Sequence, residues 1–265
     1  MQPLDLSGRS AVVTGGGSGI GRACALLFHA HGARVSVGDV RFADDVAVEF
    51  DRLGIHAQTC DVRREDHLRD LIDGHVERTG RIDVLVNNAG IGMVKQITEV
   101  TEADWSACID TNLKGPFFGS KHAIRHMKNQ PEGGSIVNTS SNAGLLPRAH
   151  DPVYSISKMA LVALMKSLAL CHGRDRIRVN CVCPGPVGDT GMMNADLDQA
   201  DDRDAEIRKF ISASPLAAAF DRMISPEEVA QAILYLASDA ARMVTGTAIA
   251  IDGGKSLGVP PRAPG

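Results

Sequence analysis

No apolar run in this sequence approaches the roughly 20 residues that a membrane-spanning helix needs, so no membrane partner is expected. Positive charge is not in excess either: Lys and Arg number 28 against 32 Asp and Glu, for a formal net charge of −4. That argues against a nucleic-acid surface. The opening MQPLDLSGRS has neither a basic start nor an apolar core, so it does not read as a secretory signal, and a cytoplasmic location is expected. No proline-rich linker, internal repeat or low-complexity block divides the chain, and a single domain over residues 1–265 is expected. None of the six cysteines, at 24, 60, 108, 171, 181 and 183, forms a Cys-x-x-Cys pair. Most sit in apolar contexts and read as reduced core thiols, although Cys181 and Cys183 share one face of a predicted strand. No metal site is expected. His122 and His126 are four apart on a predicted helix but lack a third ligand. Asp196, Asp198, Asp201, Asp202 and Asp204 read as a solvated helix rather than a calcium loop.

What the chain does have is a regular alternation of short strands and amphipathic helices. Ser10 to Thr14 reads as a buried strand that runs straight into Thr14-Gly15-Gly16-Gly17-Ser18-Gly19-Ile20-Gly21. A helix follows, with apolar Ile20, Cys24, Leu27 and Phe28 at helical spacing. Strand, glycine turn and helix start together make a phosphate cradle. Glycines let the backbone approach closely, and the helix N-terminus offers free N–H groups and a positive dipole end. A second strand over residues 34–37 leads to Asp39, 18 residues beyond Gly21. An acid there accepts hydrogen bonds from both adenosine ribose hydroxyls and repels a 2′-phosphate, which favours NAD over NADP. Arg41, two residues on, works against that preference. Further strands are expected over residues 56–60, 82–86, 134–138, 178–182 and 248–251. The pattern predicts an α/β fold: a doubly wound, Rossmann-like parallel sheet of about seven strands, with helices on both faces and ligand at the carboxyl ends of the strands.

Tyr154-Ser155-Ile156-Ser157-Lys158 opens an apolar helical run over residues 159–170. Residues four apart share a helix face, so the Tyr154 phenol and the Lys158 ammonium are expected side by side. A phenol titrates near 10 and is a poor base at neutral pH, but a neighbouring cation favours the phenolate. Bringing it to about 7 takes about 4 kcal/mol of differential stabilisation. One ammonium in a partly dry site, helped by a second positive group, can supply that.

These pieces together resemble the short-chain dehydrogenase/reductase family, in its short single-domain branch. The matching stretches are TGGGSGIG at 14–21, Asp61-Val62, NNAG at 87–90, Asn112 in TNLKG, Ser141 in NTSS, YSISK at 154–158 and PGPV at 184–187. They span nearly the whole chain in the family's order. The resemblance implies that Gly15, Ser18, Gly19, Ile20, Gly21 and Asp39 hold a dinucleotide, with Asp61 and Val62 beside the adenine. Asn88, Ala89 and Gly90 would pack beside the cofactor, and Pro184, Gly185, Val187 and Thr190 would position the nicotinamide. It also implies a catalytic set of Asn112, Ser141, Tyr154 and Lys158. In that scheme Tyr154 takes the alcohol proton as hydride leaves for the nicotinamide, and Ser141 holds the substrate oxygen. Lys158 supports the phenolate and the nicotinamide ribose, and Asn112 holds a water of a proton relay. The family is commonly tetrameric, so a homotetramer is expected.

Two stretches depart from the family's pattern. Gly188-Asp189-Thr190 is one residue longer than the usual spacing to a threonine, and the glycine often found before Pro226 is missing. Pro226, Glu227 and Glu228 still make a good helix start. Residues 190–222 would form a substrate lid. Arg148 and His150 either contact a polar or anionic substrate or are solvated loop residues. The tail, residues 259–265 with three prolines, is expected to be extended. The leading expectation is oxidation of a secondary alcohol (a polyol, sugar, cyclic diol or hydroxysteroid) by NAD. A ketoreductase using NADPH, such as one acting on 3-oxoacyl thioesters, is the alternative, and a non-catalytic dinucleotide sensor a remote one.

Overall fold

The computed structural model describes residues 4–258, and the tail expected to be extended lies outside them. Seven strands form one parallel sheet. They are β1 (Ser10–Thr14), β2 (Arg34–Asp39), β3 (His56–Thr59), β4 (Val84–Asn87), β5 (Gly134–Thr139), β6 (Ile177–Pro184) and β7 (Ala248–Ile251). Their order is β3-β2-β1-β4-β5-β6-β7, so the chain reverses its direction of travel at β1 and crosses from β3 to β4 on the other side. That switch point opens a crevice at the carboxyl ends of β1 and β4. β1 and β4 are buried at every position, as strands covered on both faces must be.

One face of the sheet packs against α1 (Gly19–Ala30), α2 (Asp44–Leu53) and α10 (Pro226–Ala237), around Phe28, Phe50 and Ile233. The other packs against α3 (Glu65–Thr79), α5 (Gly115–Met127) and α6 (Pro152–His172), around Leu71, Met127 and Met165. A short helix, α4 (Glu102–Ile109), precedes α5. The lid expected at 190–222 is three short helices, α7 (Gly191–Leu197), α8 (Arg203–Ser212) and α9 (Pro215–Phe220).

Three expectations change on contact with the structure. The stretch Pro152–Asp175 is, by length and composition alone, apolar enough to cross a membrane, contrary to the reading that no run approaches that length. Half of its most apolar window is buried, because α6 packs one face on β6. The fourth strand starts two residues later than expected. There the Asp83 carboxylate accepts from the Ser10 N–H at 2.8 Å and pairs with Arg81, while the Asp83 N–H donates to Ser10 O and its carbonyl accepts from the Ser135 N–H, so it anchors the strand entry. Cys171 is exposed, whereas the other five cysteines are buried.

Candidate active site

The glycine turn is held from both sides. The Gly15 N–H donates to Gly38 O at 2.7 Å. The Asn88 amide donates to Thr14 O at 3.2 Å and Gly15 O at 3.1 Å. A Cβ on Gly21 would lie 2.0 Å from Gly15 O, and one on Gly15 would lie 2.7 Å from Ala89 Cα. The turn is thus folded tightly onto the start of α1: the N–H groups of Gly15 and Gly16 are taken by Gly38 O, and Ser18, Gly19 and Ile20 at the helix start line the crevice. Asp39, at the end of β2, accepts from the Gly17 N–H at 2.9 Å. Arg41 lines the same end of the crevice. The Asp61 carboxylate is gripped by Arg63, which holds its titration below the usual carboxylate range.

Tyr154 and Lys158 lie one turn apart at the start of α6. The Lys158 ammonium stands 5.6 Å from the Tyr154 ring centroid and donates to Thr139 O at 3.1 Å. Both side chains are almost fully buried. Burial pushes Lys158 down to about 8 and pushes the Tyr154 phenol up from its ordinary value. This corrects the expectation of a phenol lowered chiefly by Lys158. Desolvation dominates here, and the groups that pull the phenol down are the Ser141 hydroxyl and the Arg148 guanidinium. Arg148 lies 5.0 Å from the ring centroid and is clamped to Asp151, a carboxylate only 2% exposed that also accepts from the Ser155 hydroxyl.

Ser141 stands where β5 ends. Its hydroxyl donates to Asn142 Oδ1 and accepts from the Ala143 N–H, each at 3.1 Å. Asn112 sits in a π-type turn, Asp110–Lys114, that joins α4 to α5. Its amide brackets the backbone of Ile91, donating to the carbonyl at 3.0 Å and accepting from the N–H at 2.9 Å. Asn112 Oδ1 and Lys158 Nζ converge on Gly90, where a Cβ would lie 3.1 Å from one and 3.3 Å from the other.

The longer stretch after PGPV is absorbed by Asp189, which adopts a left-handed conformation with φ 53°. A parallel bridge between Val187 and Ile224 pins the two ends of the lid together. Thr190 caps α7, donating to Val187 O and accepting from the Met193 N–H, while its methyl group faces Gly19. The missing glycine before Pro226 is replaced by a helix cap. Ser225 Oγ accepts from the Glu228 N–H, and the Glu228 carboxylate accepts from the Ser225 N–H. Asp198 pairs with Arg203, and Asp202 caps α8, which accounts for two of the lid's acids. His122 and His126 pair with different carboxylates, Glu65 and Asp73, across the α3–α5 contact.

The glycine turn, Asp39, Asp61, Ser141, Tyr154, Lys158 and Thr190 open on one cleft of about 570 Å³. Every expected site residue lines it except Gly21, which lies behind the turn, and Asn112, which lies behind Gly90. The residues fit a dinucleotide: the cradle excludes side chains, and the buried Thr139 hydroxyl at the cleft wall has no hydrogen-bond partner within the protein. At the other end the wall is formed by Met93, Met192, Met193 and Phe210, with Asp196 and Lys255. Lys255 and the apolar wall were not singled out in the sequence, because no spacing marks them.

Residues 15–256 match the profile of a family described as enoyl-(acyl carrier protein) reductase. The chain belongs to the short-chain dehydrogenase/reductase family. It is therefore an oxidoreductase of a family that acts on CH–OH and keto groups with NAD(P). Among its relatives, a cis-4-hydroxycyclohexanecarboxylate dehydrogenase of Sinomonas cyclohexanicum is 41% identical, over 93% of this chain and 96% of that protein. A 3-oxoacyl-[acyl-carrier-protein] reductase of Thermotoga maritima is 37% identical, over 95% and 99%. The crystal structure of a levodione reductase superposes with a TM-score of 0.87 at 30% identity, covering 95% of this chain and 99% of that one.

Proposed function

We propose that this short-chain dehydrogenase/reductase oxidises a secondary alcohol with NAD as the hydride acceptor. The observation that carries the reading is the convergence of Tyr154, Lys158 and Ser141 at one cleft wall, next to the glycine cradle. The bound dinucleotide supplies the hydride chemistry, and the protein's groups hold and move the proton. Ser141 donates a hydrogen bond to the substrate oxygen, Tyr154 takes its proton as the phenolate, and Lys158 stabilises that phenolate before the transfer.

NAD is favoured over NADP because Asp39 presents a carboxylate at the end of β2, and among the described residues no arginine side chain pairs with it. The 3-oxoacyl reductase relative and the presence of Arg41 support the reverse reading, reduction with NADPH. The hydroxycyclohexanecarboxylate dehydrogenase supports a cyclic alcohol. The test follows reduced nicotinamide by absorbance with NAD or NADP across a panel of secondary alcohols. Tyr154→Phe is expected to keep NADH binding and lose turnover by about 10²-fold or more. Full turnover in that variant would overturn the mechanism.

A further inference from the structure

Lys255 lies just past the last strand, in a turn held by Asp252. That carboxylate is 3% exposed and is used up by the N–H groups of Gly254, at 2.9 Å, and Ser256, at 2.8 Å. Asp252 acts on Lys255 through space as an opposite charge, but among the described residues the Lys255 ammonium makes no ion pair and no hydrogen bond. Its nearest recorded contact is the Phe210 ring, with the centroid 6.0 Å away. The side chain is half-buried in the cleft wall, where an unpaired charge is costly to hold.

The other charges of this half of the cleft do not relieve it. Burial is the main influence that pushes the Lys255 ammonium down from its ordinary value; Arg148 adds to it as a like charge, and Asp252 opposes it. Arg148 itself is clamped by one nitrogen to Asp151, with no other side-chain hydrogen bond recorded for its guanidinium. Asp196 is the remaining acid of the wall. Burial raises its titration above its ordinary value, and it makes no ion pair with Lys255.

We propose that Lys255 is a specificity-determining residue that binds a carboxylate on the substrate. The substrate's hydroxyl then sits at Tyr154 and its apolar body against Met192, Met193 and Phe210. The inference rests on the reading of this cleft as an alcohol site and names the substrate class: an apolar secondary alcohol that carries an acid group. Arg148 lines the same wall but is paired with Asp151, which leaves Lys255 as the cation free to meet the acid.

The test uses the protein saturated with NADH and titrates it with hexanoate and with hexanamide, its neutral counterpart, by NADH fluorescence. A charge-assisted hydrogen bond predicts that hexanoate binds about tenfold tighter or more. The preference is expected to vanish in Lys255→Met, survive in Lys255→Arg and shrink as salt is raised. Equal affinities, binding of neither probe, or a preference kept in Lys255→Met would each overturn it. NADH binding and the turnover of Tyr154→Phe, measured on the same preparations, separate the two levels. If those hold and the hexanoate preference is absent, only the role of Lys255 fails. If NADH does not bind, the reading of the cleft fails and the role of Lys255 with it.

Discussion

Two glycines inside helices give opposite predictions for the same substitution. In isolation, Gly→Ala within a helix is worth up to about 1 kcal/mol of added stability. Gly74, in α3, should show that gain, because an added Cβ meets only the flexible end of Arg78 at 3.3 Å. Gly21, in α1, should not. Its Cβ would lie 2.0 Å from Gly15 O and 2.6 Å from Asn88 Nδ2. Gly15 cannot yield easily, since its N–H is bonded to Gly38 O at 2.7 Å and its carbonyl accepts from Asn88. Opening the turn by an ångström or more sacrifices at least the Asn88 bond, about 1 kcal/mol, and adds overpacking strain of about 1–3 kcal/mol. Strain wins over propensity, for a net loss of about 1–3 kcal/mol. At roughly 2–4 °C per kcal/mol for a chain of this size, Tm should fall by several degrees in Gly21→Ala and rise by a few in Gly74→Ala. The cradle is displaced in the first variant only, so NADH affinity should drop about tenfold or more there and stay unchanged in the second. Thermal unfolding by circular dichroism and NADH fluorescence titration read both effects. A Gly21→Ala protein as stable as the wild type and binding NADH as well would refute the geometry of the turn.

Asp39→Asn keeps an acceptor for Gly17 but removes the charge. The ratio of kcat/KM with NAD to that with NADP should fall about tenfold or more, given a charge–charge term of roughly 1–4 kcal/mol at close range. An unchanged ratio would count against Asp39 as the discriminating group. Lys158 titrates lower in the fold, about 8 against 10.5, so the folded state binds its proton less well than the unfolded chain. Its burial therefore costs stability below pH 8, on the order of 3 kcal/mol, and the cost fades as pH rises toward 10.5. Lys158→Met should accordingly gain stability relative to wild type at pH 7, with the gap closing by pH 10.5, and should lose turnover. A gap independent of pH in chemical denaturation would show that Lys158 is not desolvated in the fold.

Most of the sheet and the cofactor end of the cleft could be read in the sequence because each depends on local chemistry. The Gly15–Gly21 turn needs glycine where backbones touch, and Asp39 stands where β2 leaves the sheet. The Tyr154–Lys158 pair needs only the helical repeat. What could not be read depends on contacts between distant segments. Lys255 and Phe210 meet only because Ser214 ties the lid to the last strand, donating to both Asp252 O and Gly253 O. Arg148 became informative only once Asp151 was seen to fix it over Tyr154. The apolar stretch of α6 was underestimated because polar Ser155, Ser157 and Lys158 interrupt it, although all three are buried in the fold. The direction of the phenol's shift was missed for a related reason. Spacing reveals a neighbouring cation, but not how much water is excluded around the pair.

That exclusion sets the electrostatic problem the site has to solve. Burial raises the Tyr154 phenol and lowers the Lys158 ammonium, so each favours its neutral form. An ammonium that titrates near 8 is a weaker guarantor of a phenolate than one that titrates near its ordinary value. The second cation over the ring then matters more than spacing alone suggests. Arg148 is held by Asp151 on the loop just before α6, while Lys158 is held by Thr139 O at the end of β5. The two positive groups thus have separate supports, one in the loop that borders the substrate and one in the sheet. A substrate that repositions the loop changes the field at the phenol without touching Lys158.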